Sequence, residues 1–191
     1  MPDSAVLAGK RIALLVEQDF EDSELTGPRD ALRSAGATVV VVGPTAGSEF
    51  KGKKLGTIVV SELAAGSASM RDFDALVIPG GYAPDKMRMR HAMVDLTREA
   101  MDAQKPVAAI CHGPWTLIEA DAVRGHTITS WPSLKTDLKN AGASWVDKEV
   151  VRDGKLVTSR KPDDIPAFNQ EMIQLFAQES AQSSEAGRNA A

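Results

Sequence analysis

The sequence predicts an α/β protein, a doubly wound, mostly parallel, flavodoxin-like sandwich that carries a nucleophile elbow. Three observations support this prediction. Short apolar runs recur along the chain, helical patterns separate them, and one of the runs ends at the only cysteine. Continuous apolar runs of strand length are typical of parallel strands that are buried on both faces. Strands that alternate with helices indicate a doubly wound sheet.

The first third of the chain predicts a strand-helix-strand unit. Residues 11–17 form a near-continuous apolar run, which predicts the first strand. Ser23 can cap a helix that ends before Gly36. The four valines of 39–42 predict a second buried strand, and the short alternating stretches within 44–68 favour a small hairpin.

The rest of the chain continues the alternation of strands and helices. Further strands are predicted at 75–78, 107–110, 127–129, 148–152 and 155–159, and further helices at 91–104, from Pro114, at 133–141 and at 163–178. The last two strands flank Asp153-Gly154, a pair of residues that favours a hairpin turn.

A single domain is expected, extending from residue 10 to residue 178. The 191 residues are 43% hydrophobic and 25% charged, which is ordinary for a globular chain with one sizeable core. Residues 1–9 and 180–191 are rich in small and polar side chains without apolar periodicity. We therefore expect both ends to be flexible tails.

Charge and composition argue against several classes of function. A net charge of −4 offers no basic surface to a nucleic acid. No apolar run is long enough to cross a membrane, and no signal segment begins the chain. One cysteine and three scattered histidines lack the spacing of a metal site, and no phosphate-binding loop motif is present. These features predict a cytoplasmic protein that needs no metal or cofactor.

Cys111 stands where a predicted strand turns into a predicted helix. Ala109 and Gly113 are the small residues that a sharp elbow requires two positions before and after the nucleophile. At such a turn a thiol faces unpaired helix N–H groups and the positive end of the helix dipole, which favours the thiolate. A lone cysteine is more often a small buried hydrophobe, but the elbow and the adjacent His112 favour a functional thiol.

Three loops should meet at the carboxyl ends of the parallel strands: 17–22, 79–86 and the Cys111-His112 turn. The N–H groups of Gly81 and His112 could form an oxyanion hole there, although a tight turn is the plainer interpretation of two adjacent glycines. His112 is the candidate base because it is the histidine beside the thiol. Adjacent side chains face each other only if the elbow redirects both.

On the basis of these motifs, the chain resembles the ThiJ/PfpI superfamily over residues of about 10–178. The resemblance rests on the strings 109–114, 20–22 and 76–81. A histidine directly after the cysteine resembles the pattern of the intracellular peptidase I branch. This branch is related to the parkinsonism-associated protein. The family resemblance implies that Cys111 is the nucleophile.

The resemblance also implies two acidic partners for this nucleophile. Glu21 is implied to hydrogen-bond the sulfur, and it can help only when protonated, since a carboxylate would raise the thiol pKa. We therefore expect Glu21 to be desolvated and protonated near neutral pH. The alternative interpretation is that Glu21 is one more solvated acid in a run of acidic residues. Asp85 stands in the loop where the family places a carboxylate from a neighbouring subunit, usually a glutamate. Trp131 is implied to lie near the cysteine as a pocket residue.

The function implied by the resemblance is that of a stress-response cysteine enzyme acting on reactive dicarbonyls or on the glycated groups that they form. Cys111 would add to an aldehyde and His112 would move the proton, without a cofactor. Two alternatives stay open: an intracellular cysteine peptidase, and a redox sensor or holdase with an oxidisable cysteine. The resemblance further implies a homodimer or a higher homo-oligomer.

Overall fold

The computed structural model describes residues 6–188, and these residues form eleven strands and six α-helices. The strands are β1 (Arg11–Leu15), β2 (Thr38–Gly43), β3 (Glu49–Lys51), β4 (Ile58–Val60), β5 (Leu63–Ala64), β6 (Ala75–Ile78), β7 (Val107–Ile110), β8 (Thr127–Ile128), β9 (Ser144–Trp145), β10 (Val150–Asp153) and β11 (Leu156–Ser159). The helices are α1 (Asp22–Ser34), α2 (Ala83–Met87), α3 (His91–Asp102), α4 (Pro114–Glu119), α5 (Lys135–Asn140) and α6 (Ile165–Arg188).

The central sheet has the strand order β10-β11-β7-β6-β1-β2-β5. Every neighbouring pair is parallel except β10 and β11, which form the predicted hairpin. Five parallel strands lie side by side in the order β2-β1-β6-β7-β11. Numbered from one to five along the chain, they have the order 2-1-3-4-5, which is a doubly wound arrangement. The predicted α/β fold with a mostly parallel sheet is confirmed.

The three middle strands form the core because they carry no polar side chains where they pair. Residues 12–15, 75–78 and 107–110 are at most 1% exposed. Apolar side chains on both faces of these strands can be buried only in the interior of a parallel sheet that is flanked by helices. The loops after β1, β6 and β7 consequently open at one edge of the sheet, beside the point where the strand order reverses.

The hairpin predicted within residues 44–68 is also present. Strands β3 and β4 pair antiparallel, with Phe50 opposite Val59, and the loop 52–57 joins them. One local prediction was wrong: Ser23 lies inside α1, and Glu21 occupies the N-cap without a capping hydrogen bond from its side chain. The helix therefore begins two residues closer to β1, with acidic residues in its first turn.

The two chain ends differ from the expected tails. Leu7 is fully buried in the core and its N–H donates to the Ala35 carbonyl at 2.8 Å, so residues 6–9 are part of the packed structure. Helix α6 continues to Arg188, beyond the predicted end at residue 178. The expectations for residues 1–5 and 189–191 lie outside the described residues. Within 6–188, no helix combines the length and apolarity that a membrane span requires.

We expect Leu7→Ala to lower the free energy of unfolding by about 2–5 kcal/mol, because it empties a fully buried position. Urea unfolding measures the change. The matched control is Val6→Ala at the preceding position, where the side chain is 37% exposed. Equally small effects for both variants would instead support the prediction that residues 1–9 are a flexible tail.

Candidate active site

Cys111 occupies the turn between β7 and α4 in a strained backbone conformation. Its φ angle is +63°, in the left-handed region, and its N–H donates to the Ser159 carbonyl at 3.0 Å. A residue other than glycine adopts this conformation at a cost, and such positions cluster at functional sites. The strain turns the thiol toward the strand ends, where the side chain is 5% exposed.

The elbow also brings the neighbouring histidine to the sulfur. The distance from Cys111 Sγ to His112 Nδ1 is 3.2 Å. Adjacent residues on a regular helix would not meet in this way. The contact therefore depends on the strained turn, and it places a base within reach of a proton on the thiol.

Two glycines allow the β6 loop to approach the thiol closely. A Cβ added at Gly80 would lie 2.2 Å from Glu24 Oε2 and 2.6 Å from Cys111 Cβ, so only glycine fits there. Gly81 has a φ angle of +84° and bridges to Phe20 in the β1 loop. The Gly-Gly pair is thus a close-approach segment as well as a turn.

The backbone N–H groups of Gly81 and His112 both act on the sulfur and lower the pKa of the Cys111 thiol. These are the two groups for which the sequence predicts an oxyanion hole. In the structure they converge on the position of the nucleophile itself. A tetrahedral intermediate bound to this sulfur would lie next to these two N–H groups. The oxyanion hole itself stays a prediction.

Glu24, which the sequence did not single out, is the acid that lies against Cys111. Its side chain is fully buried, and its carboxyl group interacts with the thiol and with the Gly80 backbone. Burial raises the pKa of Glu24 from its ordinary 4.5 to about 8, and the interaction with Cys111 opposes that rise. Neither carboxyl oxygen has a hydrogen-bond partner of standard geometry among the described residues.

Glu21 takes a different position from the predicted one. Its Oε2 atom forms an ion pair with Lys53 Nζ at 3.1 Å, rather than a hydrogen bond with the sulfur. Glu21 and Glu24 are three residues apart and therefore one helical turn apart. The acidic run after β1 contains both, and only the rotation of α1 decides which carboxyl group faces the thiol.

The thiol is also less acidic than the elbow alone predicts. Burial raises the pKa of Cys111, and a charge on Glu24 raises it further. The favourable N–H groups act against these two effects. The sequence shows the strand-to-helix turn, but it does not show how deep the sulfur lies or that a carboxyl group is buried beside it.

His112 lies between two tryptophans at the edge of the site. Its ring centroid is 5.0 Å from that of Trp115 and 6.1 Å from that of Trp131, the residue predicted near the cysteine. Its Nε2 is 3.5 Å from Ser133 Oγ. Burial and, secondarily, the charge of Lys53 lower the pKa of His112. The neutral form, which can accept a proton, therefore prevails at neutral pH.

Asp85 does not reach His112 within the chain. It lies exposed in the first turn of α2, and no hydrogen bond or ion pair joins the two side chains among the described residues. An exposed position is compatible with the predicted contact from a second subunit, which stays a prediction.

Lys53 is a further site residue that the sequence did not indicate. It belongs to the loop 52–57, and its charge acts on Cys111, Glu24 and His112. The sequence predicts the hairpin that carries it, but no local pattern shows that this hairpin folds over the strand ends. Elsewhere in the described residues, no group of three His, Cys, Asp or Glu side chains is arranged to hold a metal ion.

A buried acid with a raised pKa makes stability depend on pH. The folded-state pKa of Glu24, about 8, lies above its ordinary value of 4.5. The resulting stabilisation is complete below pH 4.5 and is lost as the pH rises through 8. Relative to Glu24→Gln, we expect the wild type to lose up to about 1 kcal/mol of unfolding free energy per pH unit across that window.

Urea unfolding at pH 5, 7 and 9 measures this difference between the wild type and Glu24→Gln. Glu21→Gln is the matched control, one helical turn away and paired with Lys53. A pH-dependent difference that appears with Glu21→Gln and not with Glu24→Gln would assign the buried acid to Glu21, as the sequence predicts.

Comparison with known proteins gives a consistent result. The sequence profile described as the DJ-1/PfpI family matches residues 10–175. "Protein/nucleic acid deglycase 2" of Escherichia coli is 46% identical over 168 residues, covering 87% of this chain and 98% of that protein. "Putative cysteine protease YraA" of Bacillus subtilis is 45% identical over 167 residues, with 87% and 98% covered. The crystal structure of Drosophila melanogaster DJ-1beta superposes with a TM-score of 0.81 at 30% identity, covering 93% of this chain and 96% of that one.

Proposed function

The chain belongs to the DJ-1/PfpI family, and we propose that it is a cysteine enzyme that converts reactive dicarbonyls, and the adducts they form with amines, into hydroxy acids. The contact of 3.2 Å between Cys111 Sγ and His112 Nδ1 carries the proposal, because it pairs a nucleophile with a proton acceptor. The name of the deglycase relative supports glycated groups as substrates. The proposed compartment is the reducing cytoplasm, where a free thiol persists.

The first step needs a thiolate, and Cys111 and Glu24 must be considered together. Two buried acidic groups in contact cannot both carry a charge, so they ionise as a pair. The N–H groups of Gly81 and His112 favour a negative charge on the sulfur, whereas burial favours the protonated form of Glu24. We therefore assign the remaining proton to Glu24 and the negative charge to the sulfur in the reactive state.

The thiolate then adds to the aldehyde carbon of a dicarbonyl such as methylglyoxal, forming a C–S bond and a hemithioacetal oxyanion. In our proposal the N–H groups of Gly81 and His112 stabilise that oxyanion, and their effect on the adjacent sulfur supports this role. Neutral His112 removes the proton from the former aldehyde carbon and returns it to the adjacent ketone carbon. The former ketone oxygen takes up a proton from water, and the product is a thioester of a 2-hydroxy acid.

Water completes the reaction by adding to the thioester. The C–S bond breaks, lactate leaves and the sulfur regains its electron pair. One carbon is oxidised while its neighbour is reduced, so the sequence balances without an external oxidant or reductant. On an amine adduct the thiolate displaces the amine, which takes a proton from water relayed through the neutral His112 ring, and the same hemithioacetal results.

The surroundings of the sulfur support a small substrate. Cys111 is only 5% exposed, and Trp115 and Trp131 flank its histidine. A sulfur that is so little exposed suits an aldehyde better than an extended polypeptide. A second subunit that presents Asp85 to His112 is part of the proposal, since Asp85 is exposed and out of reach within the chain.

The test is lactate formation from methylglyoxal by the purified protein at several protein concentrations. We expect a rate proportional to protein and many lactate molecules per chain. One equivalent of methylglyoxal consumed per chain, without lactate, would contradict the proposal and indicate trapping by the thiol. Cleavage of short fluorogenic peptides without lactate would indicate a peptidase. A stable Cys111 sulfinate at low peroxide, without any turnover, would indicate a redox sensor.

A further inference from the structure

The loop 52–57 is pinned to the start of α1 by one buried carboxylate. Asp22 Oδ2 accepts the N–H groups of Lys54 at 3.0 Å and Leu55 at 3.1 Å, and Oδ1 accepts that of Thr57 at 2.9 Å. Burial acts to raise the pKa of Asp22, but the hydrogen bonds outweigh it and lower the pKa to about 2. The carboxylate therefore stays ionised, and the loop stays attached, across the pH range of any assay near neutrality.

Two further contacts fix the backbone immediately around Lys53. A Cβ added at Gly52 would lie 2.2 Å from Asp22 Oδ1, so this approach requires glycine. The N–H of Lys53 itself donates to the Phe20 carbonyl at 2.9 Å, in the loop that follows β1. Hence the Lys53 side chain starts from a fixed point above the strand ends.

The Lys53 ammonium is held by Glu21 and Tyr82, which belong to the segments that border the site. Its Nζ lies 3.1 Å from Glu21 Oε2 and 4.7 Å from the centre of the Tyr82 ring, and the side chain is 26% exposed. Burial acts to lower the pKa of Lys53, but Glu21 and, more weakly, Cys111 and Tyr82 raise it above its ordinary value. The group is therefore positively charged at neutral pH.

The titratable groups around Lys53 come from every element that borders the site. Glu21 and Glu24 lie on α1, Tyr82 precedes α2, and His112 follows Cys111 at the elbow. An ion pair joins Lys86 of α2 to Asp19 of the loop after β1.

Lys53 is the cation that acts on the central groups of this cluster. Its charge lowers the pKa of both Glu24 and His112, and the charge of Cys111 raises that of Lys53. Because His112 is neutral near pH 7, its ring cannot supply the positive charge that a thiolate needs.

We propose that Lys53 is a positioning residue for the nucleophile, a fixed ammonium that the Asp22-pinned loop places over the site to balance the charge of the Cys111 thiolate. The inference rests on the proposed function only in taking the thiolate as the reacting form. It assigns to the β3–β4 hairpin a role in reactivity, in addition to its place in the fold.

The test measures alkylation of Cys111 by iodoacetamide between pH 5 and pH 10, followed by mass spectrometry. Iodoacetamide is uncharged, so its rate reports the thiolate fraction. We expect Lys53→Met to move the midpoint of the profile upward by about one pH unit and to slow alkylation at pH 7 about 10-fold. Lys53→Arg, which keeps the charge, should restore the midpoint.

Lys54→Met is the matched control, because it removes the same charge from the adjacent, exposed position. An unchanged midpoint in Lys53→Met would overturn the proposal, as would an equal shift in Lys54→Met. Slower alkylation at every pH without a midpoint shift would show a merely structural role and would also overturn it. If Lys53→Met does not fold, Lys53→Gln provides the same readout. Failure of the proposed function would instead appear as absent lactate with the alkylation shift intact.

Discussion

Cys111→Ala is expected to lower the rate of lactate formation from methylglyoxal by about 10³-fold or more. Cys111 is the only cysteine of the chain, so no other thiol can form the hemithioacetal. The side chain is also the point on which the Gly81 and His112 N–H groups converge. Without the sulfur, these groups have no covalent intermediate to stabilise. Initial rates at several enzyme concentrations, with lactate measured directly, give the comparison.

The control for this variant is its fold. Alanine is smaller than cysteine and tolerates the same strained backbone no better, so we expect a thermal midpoint within a few degrees of the wild type. Cys111→Ser, which keeps the shape and a polar atom, should be comparably inactive because a hydroxyl is far less acidic than a thiol. If either variant kept more than a tenth of the wild-type rate, the nucleophile would lie elsewhere.

His112→Asn is expected to lower kcat by about 10²–10⁴-fold while Cys111 remains open to alkylation. The imidazole is 3.2 Å from the sulfur and is the group that moves the proton between the two substrate carbons in our proposal. Asparagine keeps a polar side chain of similar reach but cannot take up a proton. The measurements are kcat for methylglyoxal and the rate of iodoacetamide modification, on the same preparations.

The pH profile of the wild type provides a second readout for His112. Burial lowers its pKa below the ordinary value of 6.5, so the acid limb of kcat should fall below that pH. His91→Asn, at the exposed start of α3, is the matched control and should behave as the wild type. A parallel loss of alkylation and turnover in His112→Asn would indicate that the ring only supports the elbow.

The buried pair of Cys111 and Glu24 is expected to lower the free energy of unfolding. The carboxyl group is fully buried without standard hydrogen bonds, next to a thiol in a strained turn. Such an arrangement is unfavourable for folding and is typical of positions kept for chemistry. It also implies that thiol reactivity is governed by the pair, so that variants of either residue should change the titration of both.

The sequence by itself determined the fold class and the location of the nucleophile. Apolar runs such as 107–110 can be buried on both faces only inside a parallel sheet, and this follows from local pattern and length. The small residues around Cys111 likewise specify a sharp strand-to-helix turn. The family resemblance, now confirmed over residues 10–175, added the roles expected of Glu21, Asp85 and Trp131.

Only the tertiary structure decided which charged groups meet at the sulfur. Glu24 faces Cys111 and Glu21 faces Lys53, because the rotation of α1 depends on its packing and not on its local sequence. Lys53 reaches the site through a hairpin whose placement depends on Asp22, thirty-odd residues earlier in the chain. The depth of the thiol, and so its raised pKa, likewise results from contacts between segments far apart in sequence. Local pattern fixes backbone conformation, whereas electrostatics depends on distances that only long-range packing sets.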